Sequence, residues 1–251
     1  MPGWVHGDGG SAEEVKGSSG CQKLRSLLPA PLARYILHFE AEIEASVQQF
    51  ADSLGPGVRV LDAGAGESQY KSHFSSQRYV GVDLAVGDEE WDYSKLDVIA
   101  ELGGLPFPNS AFDACLNIVT LEHVKEPGQV LAEISRILAP GARLLLIAPH
   151  EWEEHQQPHD YYRYTRYGLQ YLLCQAGFQI EQIRPVGGFF RLLSRRLLNG
   201  LQFFLGPLIV LAAIFFVPPA LVLPLFDPLD RQRNFTLGYA CFARKPHAGR
   251  V

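Results

Sequence analysis

Apolar residues recur every three or four positions from Leu32 to Leu54, which predicts one amphipathic helix ended by the Gly55-Pro56-Gly57 run. Beyond it, short apolar segments bounded by Gly, Pro, Asn or Asp alternate with helical stretches. The predicted strands are Val58–Asp62, Tyr79–Asp83, Phe112–Val119, Arg143–Ala148, Phe178–Pro185 and Phe235–Ala243, and the predicted later helices are Pro127–Leu138 and Thr165–Ala176. This alternation predicts an α/β fold of Rossmann-like type, with a mostly parallel sheet and helices on both faces.

Composition narrows the possible classes of protein. The 251 residues suffice for one α/β domain and are too few for two ordinary enzyme domains. A formal charge of -5 argues against a nucleic-acid binder, which needs a clustered basic face. Cys21, Cys115, Cys174 and Cys241 lie far apart, so we expect neither a cysteine zinc site nor a disulfide framework. The N-terminal residues contain no apolar run typical of a signal peptide, and we expect a cytoplasmic protein.

The strongest chemical signal is an apolar strand that leads into a glycine turn. Gly64 allows a sharp turn and Gly66 allows the backbone to approach a ligand, while Asp62 lies at the end of the strand. The next strand ends at Asp83, where a carboxylate is suited to accept both hydroxyls of a ribose. Leu84 follows it and would meet an adenine face. These features predict a nucleoside ligand at the carboxyl ends of the strands.

A nicotinamide dinucleotide is the obvious rival ligand. Its fingerprint requires a third glycine at the position that Gln69 occupies here. A dinucleotide also needs a tight helix N-terminus for its pyrophosphate, whereas S-adenosylmethionine (SAM) has no phosphate. The sequence therefore favours the ligand without phosphate.

At these segments the chain resembles the class I SAM-dependent methyltransferases of the type 11 subgroup. The resemblance runs from about Val58 to Gly188 and resumes at the terminal strand. Its matching motifs are Leu61–Gly66, Val82-Asp83, Leu105–Pro108 leading into Phe112-Asp113, Leu121–Val124 and Arg136–Gly141. The resemblance implies SAM as cofactor and an antiparallel final strand, Phe235–Ala243.

The resemblance also implies which residues contact the cofactor. They share a place at the carboxyl ends of the strands: Asp62, Gly64 and Gly66 at the methionine half, Asp83 at the ribose, Asp97 and Val98 at the adenine, and Asn117 at the reacting methyl group.

A loop rich in His, Tyr and Arg follows the strand Arg143–Ala148 and reaches the same sheet edge, where loops often carry function. The candidate acceptor contacts are His150, His159, Tyr162 and, from the LEHV motif, His123. His123 has the alternative of bracing its turn. For Arg166, Tyr167 and Tyr171 the alternative is the polar side of the helix Thr165–Ala176. His159 would serve as a base for a hydroxyl acceptor, whereas a carboxylate or enolate needs none, so no catalytic residue is assigned.

A metal site is not expected in this loop. His150 and His155 resemble an HExxH zinc motif with one residue too many. On a helix that spacing separates the two side chains by about 140°, so both do not bind one ion.

A hydrophobic insertion separates the last two strands. Residues 197–226 contain no charged side chain, and Pro207, Pro218, Pro219 and Pro224 are expected to divide the run into pieces too short to span a bilayer. Because it leaves and re-enters one sheet, we expect a hairpin that dips into one leaflet. Its arginine flanks, Arg191, Arg195, Arg196, Arg231 and Arg233, suit anionic headgroups. The alternatives are a buried helical cap and a dimer interface.

These expectations define four regions: a disordered tail at 1–24, a SAM-binding domain at 25–188 with its core from 58, a membrane-associating insertion at 189–233, and a terminal strand at 234–246. We expect methyl transfer to a small-molecule acceptor, lipid-linked or hydrophobic, at the cytoplasmic face of a membrane. One alternative is an enzyme for a soluble acceptor that docks on a membrane partner. Another is a non-catalytic scaffold whose insertion binds a protein. The oligomeric state stays open.

Overall fold

The computed structural model describes residues 29–87 and 91–247. The predicted disordered tail at 1–24 lies outside the described residues. The chain divides into two compact units, Met1–Leu37 and His38–Val251, and the second contains the whole sheet.

The described residues contain six α-helices: α1 (Ala30–Ile36), α2 (His38–Asp52), α3 (Pro127–Ile137), α4 (Arg166–Gln175), α5 (Phe189–Asn199) and α6 (Pro207–Val222). The single helix predicted from Leu32 to Leu54 is wrong, because the chain leaves helical geometry at Leu37, with φ -90 and ψ 54. Apolar spacing identifies the buried side of a segment and is insensitive to a break of one residue. Helix α4 begins as predicted, since the Thr165 side chain accepts a hydrogen bond from the Gly168 N–H at 3.1 Å.

Seven strands form one sheet in the order β3-β2-β1-β4-β5-β7-β6. They are β1 (Arg59–Ala63), β2 (Arg78–Asp83), β3 (Val98–Ile99), β4 (Phe112–Ile118), β5 (Leu138–Pro149), β6 (Gln179–Val186) and β7 (Gly238–Arg244). Strands β1 to β5 pair in parallel, and β7 runs antiparallel between β5 and β6. The predicted mostly parallel sheet with a final antiparallel strand is confirmed. The two-residue strand β3 was not predicted, because it is too short to show a period.

Strand β5 shows how the two faces of the sheet are covered. Leu144 and Leu146 pack into one core cluster together with residues of α3 and α4. Leu145 and Ile147 point to the opposite face and pack into a second cluster with α2. Burial on both faces explains why the strand is almost continuously apolar. The predicted placement of helices on both faces is confirmed.

The strand order reverses direction at β1, which has β2 on one side and β4 on the other. In an open α/β sheet this reversal leaves a crevice outside the carboxyl ends of the two central strands. Here those ends are Ala63 and Ile118, so the glycine turn and the LEHV segment lie on either side of the crevice.

The insertion leaves and re-enters the sheet at neighbouring points. Val186, the last residue of β6, is the register partner of Gly238, the first residue of β7. Between them α5 and α6 pack against each other, followed by a 3₁₀ segment at Leu223–Leu229. A segment whose two ends meet in this way does not connect opposite sides of a membrane.

The prolines do not divide the apolar run as expected. Helix α6 continues through Pro218 and Pro219 for 16 residues, a length of about 24 Å. Among the described residues one helical stretch, Pro207–Leu229, is long and apolar enough to cross a membrane by length and composition alone. Sequence reasoning treated each proline as a stop, although its fixed φ is compatible with helix and each ring removes only one donor.

One carbonyl group freed by a proline receives a hydrogen bond from the neighbouring helix. The carbonyl of Ala220 would accept the N–H of residue 224 in an α-helix, but Pro224 has no N–H. The Ser194 hydroxyl of α5 donates to the Ala220 oxygen instead, at 2.5 Å, and both residues are buried. This bond joins the two helices at a point from which water is excluded.

We predict that Ser194→Ala lowers the free energy of unfolding by about 1–3 kcal/mol, because it leaves a buried carbonyl without a donor. Urea denaturation followed by circular dichroism measures the change. Ser75→Ala removes an exposed serine hydroxyl and should change stability by less than about 0.5 kcal/mol. Equal stability of the two variants would contradict the assigned bond.

Candidate functional site

The glycine turn after β1 is held against the chain that follows β4. Gly64 has φ +88 and Gly66 has φ +50, backbone conformations that residues other than glycine rarely adopt. The Gly64 N–H donates to the Val82 carbonyl at 2.8 Å. A Cβ at Gly64 would lie 2.2 Å from the Thr120 side chain. The Thr120 hydroxyl shares its proton between the Ile118 carbonyl at 3.0 Å and the Gly64 carbonyl at 3.2 Å. Glycine at position 64 therefore allows the two turns to touch.

The Asp83 carboxylate is fixed at the end of β2 by two backbone donors. Its Oδ2 accepts from the Gly66 N–H at 3.0 Å, and its Oδ1 accepts from the Ala85 N–H at 2.9 Å. Each oxygen retains a lone pair, and the side chain is only partly buried. Leu84 is about half exposed beside it. A fixed carboxylate next to an exposed apolar side chain fits the ribose and adenine of a nucleoside.

Asp62 and Asn117 lie deeper than sequence reasoning expected. Both are fully buried. Asp62 Oδ2 accepts from the Tyr79 hydroxyl at 2.6 Å, and burial raises the pKa of Asp62 to about 7. The Asn117 amide donates to the Ala63 carbonyl at 2.8 Å. One oxygen of each side chain, Oδ1, has no hydrogen-bond partner, which leaves an acceptor beneath the turn.

The proposed adenine contacts Asp97 and Val98 lie at the junction of β2 and β3. Val98 is the register partner of Val82. The Asp97 carboxylate accepts from the Gly81 N–H at 2.9 Å and from the Lys71 ammonium at 3.1 Å. Asp97 therefore already braces the strand, with less capacity left for a ligand. Sequence reasoning passed over Trp91, whose ring would lie 3.2 Å from a Cβ at Gly66.

Three of the four candidate acceptor residues meet at the turn after β4. His123 Nδ1–H donates to the His159 carbonyl at 2.7 Å. The Glu122 carbonyl accepts the N–H of Tyr162 at 3.3 Å, and the Tyr162 hydroxyl donates to the Lys125 carbonyl at 2.8 Å. The loop after β5 is thus attached to the LEHV segment by its backbone.

His150 stays apart from this group. Its ring packs 5.7 Å from the Tyr239 ring, and its N–H donates to the Leu237 carbonyl at 2.9 Å. It therefore lies at the end of β5 beside β7, where it contacts the terminal strand and none of the other three candidates.

The same turn gathers further polar residues to which the sequence assigned no contact. Asp160 accepts two hydrogen bonds of 2.6 Å from Arg163 and one of 2.9 Å from the His155 N–H. Glu122 is fully buried, and burial raises its pKa to about 8. A signal for Glu122 existed in its place directly after a buried strand. His155 and Asp160 belong to the polar loop that the sequence singled out, but the path of the folded loop alone brings them to this turn.

Comparison with known proteins agrees with this geometry. Residues 61–146 match the family model described as "Methyltransferase domain". This segment, about a third of the chain, is therefore similar to methyltransferase domains. It is 34% identical over 103 residues to a demethylmenaquinone methyltransferase of Renibacterium salmoninarum, covering 38% of this chain and 44% of that protein. It is 30% identical over 97 residues to a malonyl-[acyl-carrier protein] O-methyltransferase of Yersinia pestis, covering 36% of each chain.

The curated relatives are therefore matched over less than half of their own length. Solved structures match the methyltransferase domain more completely. The [4+2]-cyclase SpnF has a TM-score of 0.54 at 20% identity, covering 80% of this chain and 82% of that one. A Burkholderia thailandensis 1,6-didemethyltoxoflavin-N1-methyltransferase, solved with S-adenosylhomocysteine, has a TM-score of 0.50 at 18% identity, covering 94% and 93%. At these identities the likeness establishes the fold alone.

We predict that Gly64→Ala destabilises the methyltransferase domain by at least about 2 kcal/mol, since the new methyl group overlaps Thr120 and φ is strained. Thr120→Gly in the same chain should recover part of the loss by removing the overlap, as thermal denaturation would measure. Gly104→Ala is the matched control, because no atom lies within 4 Å of its added Cβ. A stable Gly64→Ala variant would refute the close contact of the two turns.

Proposed function

We propose that the protein binds SAM between the glycine turn and Asp83 and transfers its methyl group to a small-molecule acceptor held by the loop after β5. The observation that supports this most is the Asp83 carboxylate, fixed by the N–H groups of Gly66 and Ala85. In this proposal Gly64 and Gly66 line the methionine half of the cofactor, and Leu84 packs on the adenine.

The side chains of the domain then act mainly by positioning. SAM supplies a sulfonium-bound methyl group and a good leaving group, so alignment of the acceptor contributes much of the rate. The free Oδ1 of Asn117 and of Asp62 are acceptors for polar groups of the cofactor's methionine half. Asp97 and Val98 support the adenine pocket through β3.

The acceptor is proposed to lie along His123, His159 and Tyr162. His159 is exposed, with Nδ1 3.2 Å from the Tyr161 hydroxyl, and it is suited to take a proton from a hydroxyl acceptor. The Tyr162 hydroxyl is engaged with a backbone carbonyl and therefore offers its ring face. His150, against the terminal strand, has a supporting role in this proposal.

We further propose that the insertion anchors the enzyme on one face of a membrane. Its exposed large apolar side chains between residues 203 and 229 are Phe203, Leu205, Leu208, Ile209, Val210, Leu211, Ile214, Phe215, Val222, Leu225, Phe226 and Leu229. Burying half of this surface contributes on the order of 10 kcal/mol before ordering costs. Such a patch is larger than a monomeric soluble protein normally exposes.

The arginines that flank the insertion contribute less to this proposal than their sequence positions suggested. Arg195 pairs with Glu40 at 2.9 Å, and Arg196 pairs with Glu153 at 2.6 Å. Asp227 is buried at the base of the hairpin and pairs with Arg233 at 2.5 Å. Because these cations serve the protein itself, the proposed attachment depends on apolar burial and only slightly on anionic lipid.

We predict that SAM and S-adenosylhomocysteine bind with micromolar affinity, and that Asp83→Ala weakens binding by about tenfold to over a hundredfold, or about 1.5–3 kcal/mol. Isothermal titration calorimetry measures this loss, and transfer of a labelled methyl group to metabolite and lipid extracts then identifies the acceptor.

The matched control is Asp113→Ala, which removes a carboxylate paired with Arg59 at the opposite, amino end of the sheet. It should leave SAM affinity unchanged. Tight binding of NADH without any heat from SAM would overturn the proposal. Binding of SAM without transfer to any acceptor would favour the non-catalytic scaffold.

We predict that the protein floats with lipid vesicles and stays bound at high salt, because apolar burial is not screened. A triple Gln variant at Leu208, Leu211 and Phe215, which share one side of α6, should reduce the bound fraction at least tenfold. Gln at Tyr167 and Tyr171, exposed aromatics of α4, is the control and should change nothing. A soluble monomer that ignores vesicles at low salt would refute the anchor, and a dimer without vesicle binding would assign the patch to an interface.

A further inference from the structure

Three side chains from the turn after β4 and the loop after β5 converge in a way that methyl transfer alone does not require. Glu122, His123 and His155 each offer one ligand atom, and these atoms lie within 4.8 Å of one another. Two of the residues follow β4 and the third comes from the loop after β5. His150, the first histidine of the HExxH-like pattern, packs against Tyr239 and is not a member of this group.

Glu122 is the least explained member of the group. Its carboxylate is fully buried, and neither oxygen accepts a hydrogen bond from another residue. Its Oε1 lies 3.7 Å from His123 Nε2, beyond hydrogen-bonding distance. Buried carboxylates are normally paired, hydrogen-bonded or bound to a cation. A cation is the partner that this position lacks.

In both imidazole rings Nδ1 lies within hydrogen-bonding distance of a backbone carbonyl, as in many metal-binding histidines. His123 Nδ1–H donates to the His159 carbonyl at 2.7 Å, and Nε2 of the same ring is buried without a hydrogen-bond partner. His155 Nδ1 lies 3.1 Å from the Glu153 carbonyl, which leaves Nε2 of this ring for a ligand. A ring whose Nδ1–H bonds a backbone carbonyl has its tautomer fixed, with the Nε2 lone pair directed elsewhere.

We propose that Glu122, His123 and His155 bind one divalent transition-metal ion, with Zn²⁺ as the best fit, through one carboxylate oxygen and two imidazole nitrogens. Two nitrogens and one carboxylate suit Zn²⁺, Fe²⁺ or Co²⁺, whereas Mg²⁺ and Ca²⁺ prefer oxygen ligands. Bonds of about 2.0–2.2 Å require the side chains to close by roughly an ångström.

Asp160 and Arg163 form the support behind these ligands. Asp160 accepts the His155 backbone N–H, and its two oxygens are held by Arg163. Asp160 Oδ2 also lies 3.5 Å from His155 Nδ1. Asp160 and Arg163 therefore hold His155, the ligand most distant in sequence from the other two, as outer-shell groups of metal sites do.

The proposed metal site adjoins the proposed methyl-donor site. Thr120 lies two residues before Glu122 in the chain, and its side chain contacts Gly64. With three protein ligands the ion retains an open position, and an acceptor hydroxyl bound there would give up its proton more readily, to His159 or to solvent. This consequence for the acceptor rests on the proposed function, whereas ion binding itself does not.

The test uses the full chain, freed of metal with a chelator and titrated with Zn²⁺ by calorimetry and with Co²⁺ by visible absorption, without SAM or acceptor. We expect one ion per chain and a rise in melting temperature on adding Zn²⁺. Glu122→Gln, which keeps the side-chain shape, and His155→Ala should each weaken Zn²⁺ affinity by at least about a hundredfold, because even outer-shell changes cost 10–100-fold.

His73→Gln is the matched control, since it removes a histidine that pairs with Glu44 away from the group. It should keep full affinity. Failure of the unaltered protein to bind Zn²⁺ or Co²⁺ would overturn the proposal, as would undiminished binding by Glu122→Gln and His155→Ala. Loss of SAM binding with Zn²⁺ binding intact would instead contradict the proposed function and leave the metal site standing.

Discussion

The contact between Gly64 and Thr120 is the constraint on which the rest of the site depends. A Cβ on residue 64 would overlap the Thr120 side chain, so only glycine lets the turn after β1 meet the turn after β4. At that approach the Thr120 hydroxyl lies within hydrogen-bonding distance of the carbonyls of both Gly64 and Ile118. On one side of this contact the chain leads to Asp83, and on the other it leads to Glu122. The proposed cofactor and acceptor sites are therefore neighbours because two turns touch.

Three carboxylates near that contact show how burial decides their chemistry. Asp83 is partly exposed and accepts two backbone N–H groups, which fixes the orientation of its carboxylate. Asp62 is buried with one phenol donor, and its pKa rises to about 7. Glu122 is buried with no donor from any other residue. The same functional group thus lies in three environments, and we propose a different role in each: a ribose contact for Asp83, an acceptor beneath the glycine turn for Asp62 and a metal ligand for Glu122.

The sequence predicted those features that depend on local spacing. Strand alternation identified the sheet, and the glycine turn and Asp83 lie at the carboxyl edge where they were expected, because each depends on residues close together in the chain. Their contact with a cofactor stays a prediction. The helical path through Pro218 and Pro219 was missed, since each proline was treated as a stop although its φ is compatible with a helix. His155 was assessed only against His150 and was therefore set aside. Its partners at 122 and 123 come from another strand end, and such long-range proximity has no local pattern.

The direction of strand β6 relates the proposed membrane anchor to the proposed acceptor site. Strand β7 is antiparallel to both β5 and β6, so β6 runs parallel to β5. Strand β6 therefore ends at the same carboxyl edge of the sheet as the glycine turn. Helix α5 therefore starts at that edge, and Arg196 reaches back to Glu153 in the acceptor loop. If the apolar hairpin enters a leaflet, the edge with the acceptor loop faces the same lipid surface. An acceptor dissolved in that leaflet would then reach His159 and Tyr162 without crossing the sheet, which relates the lipid anchor to a hydrophobic substrate by geometry.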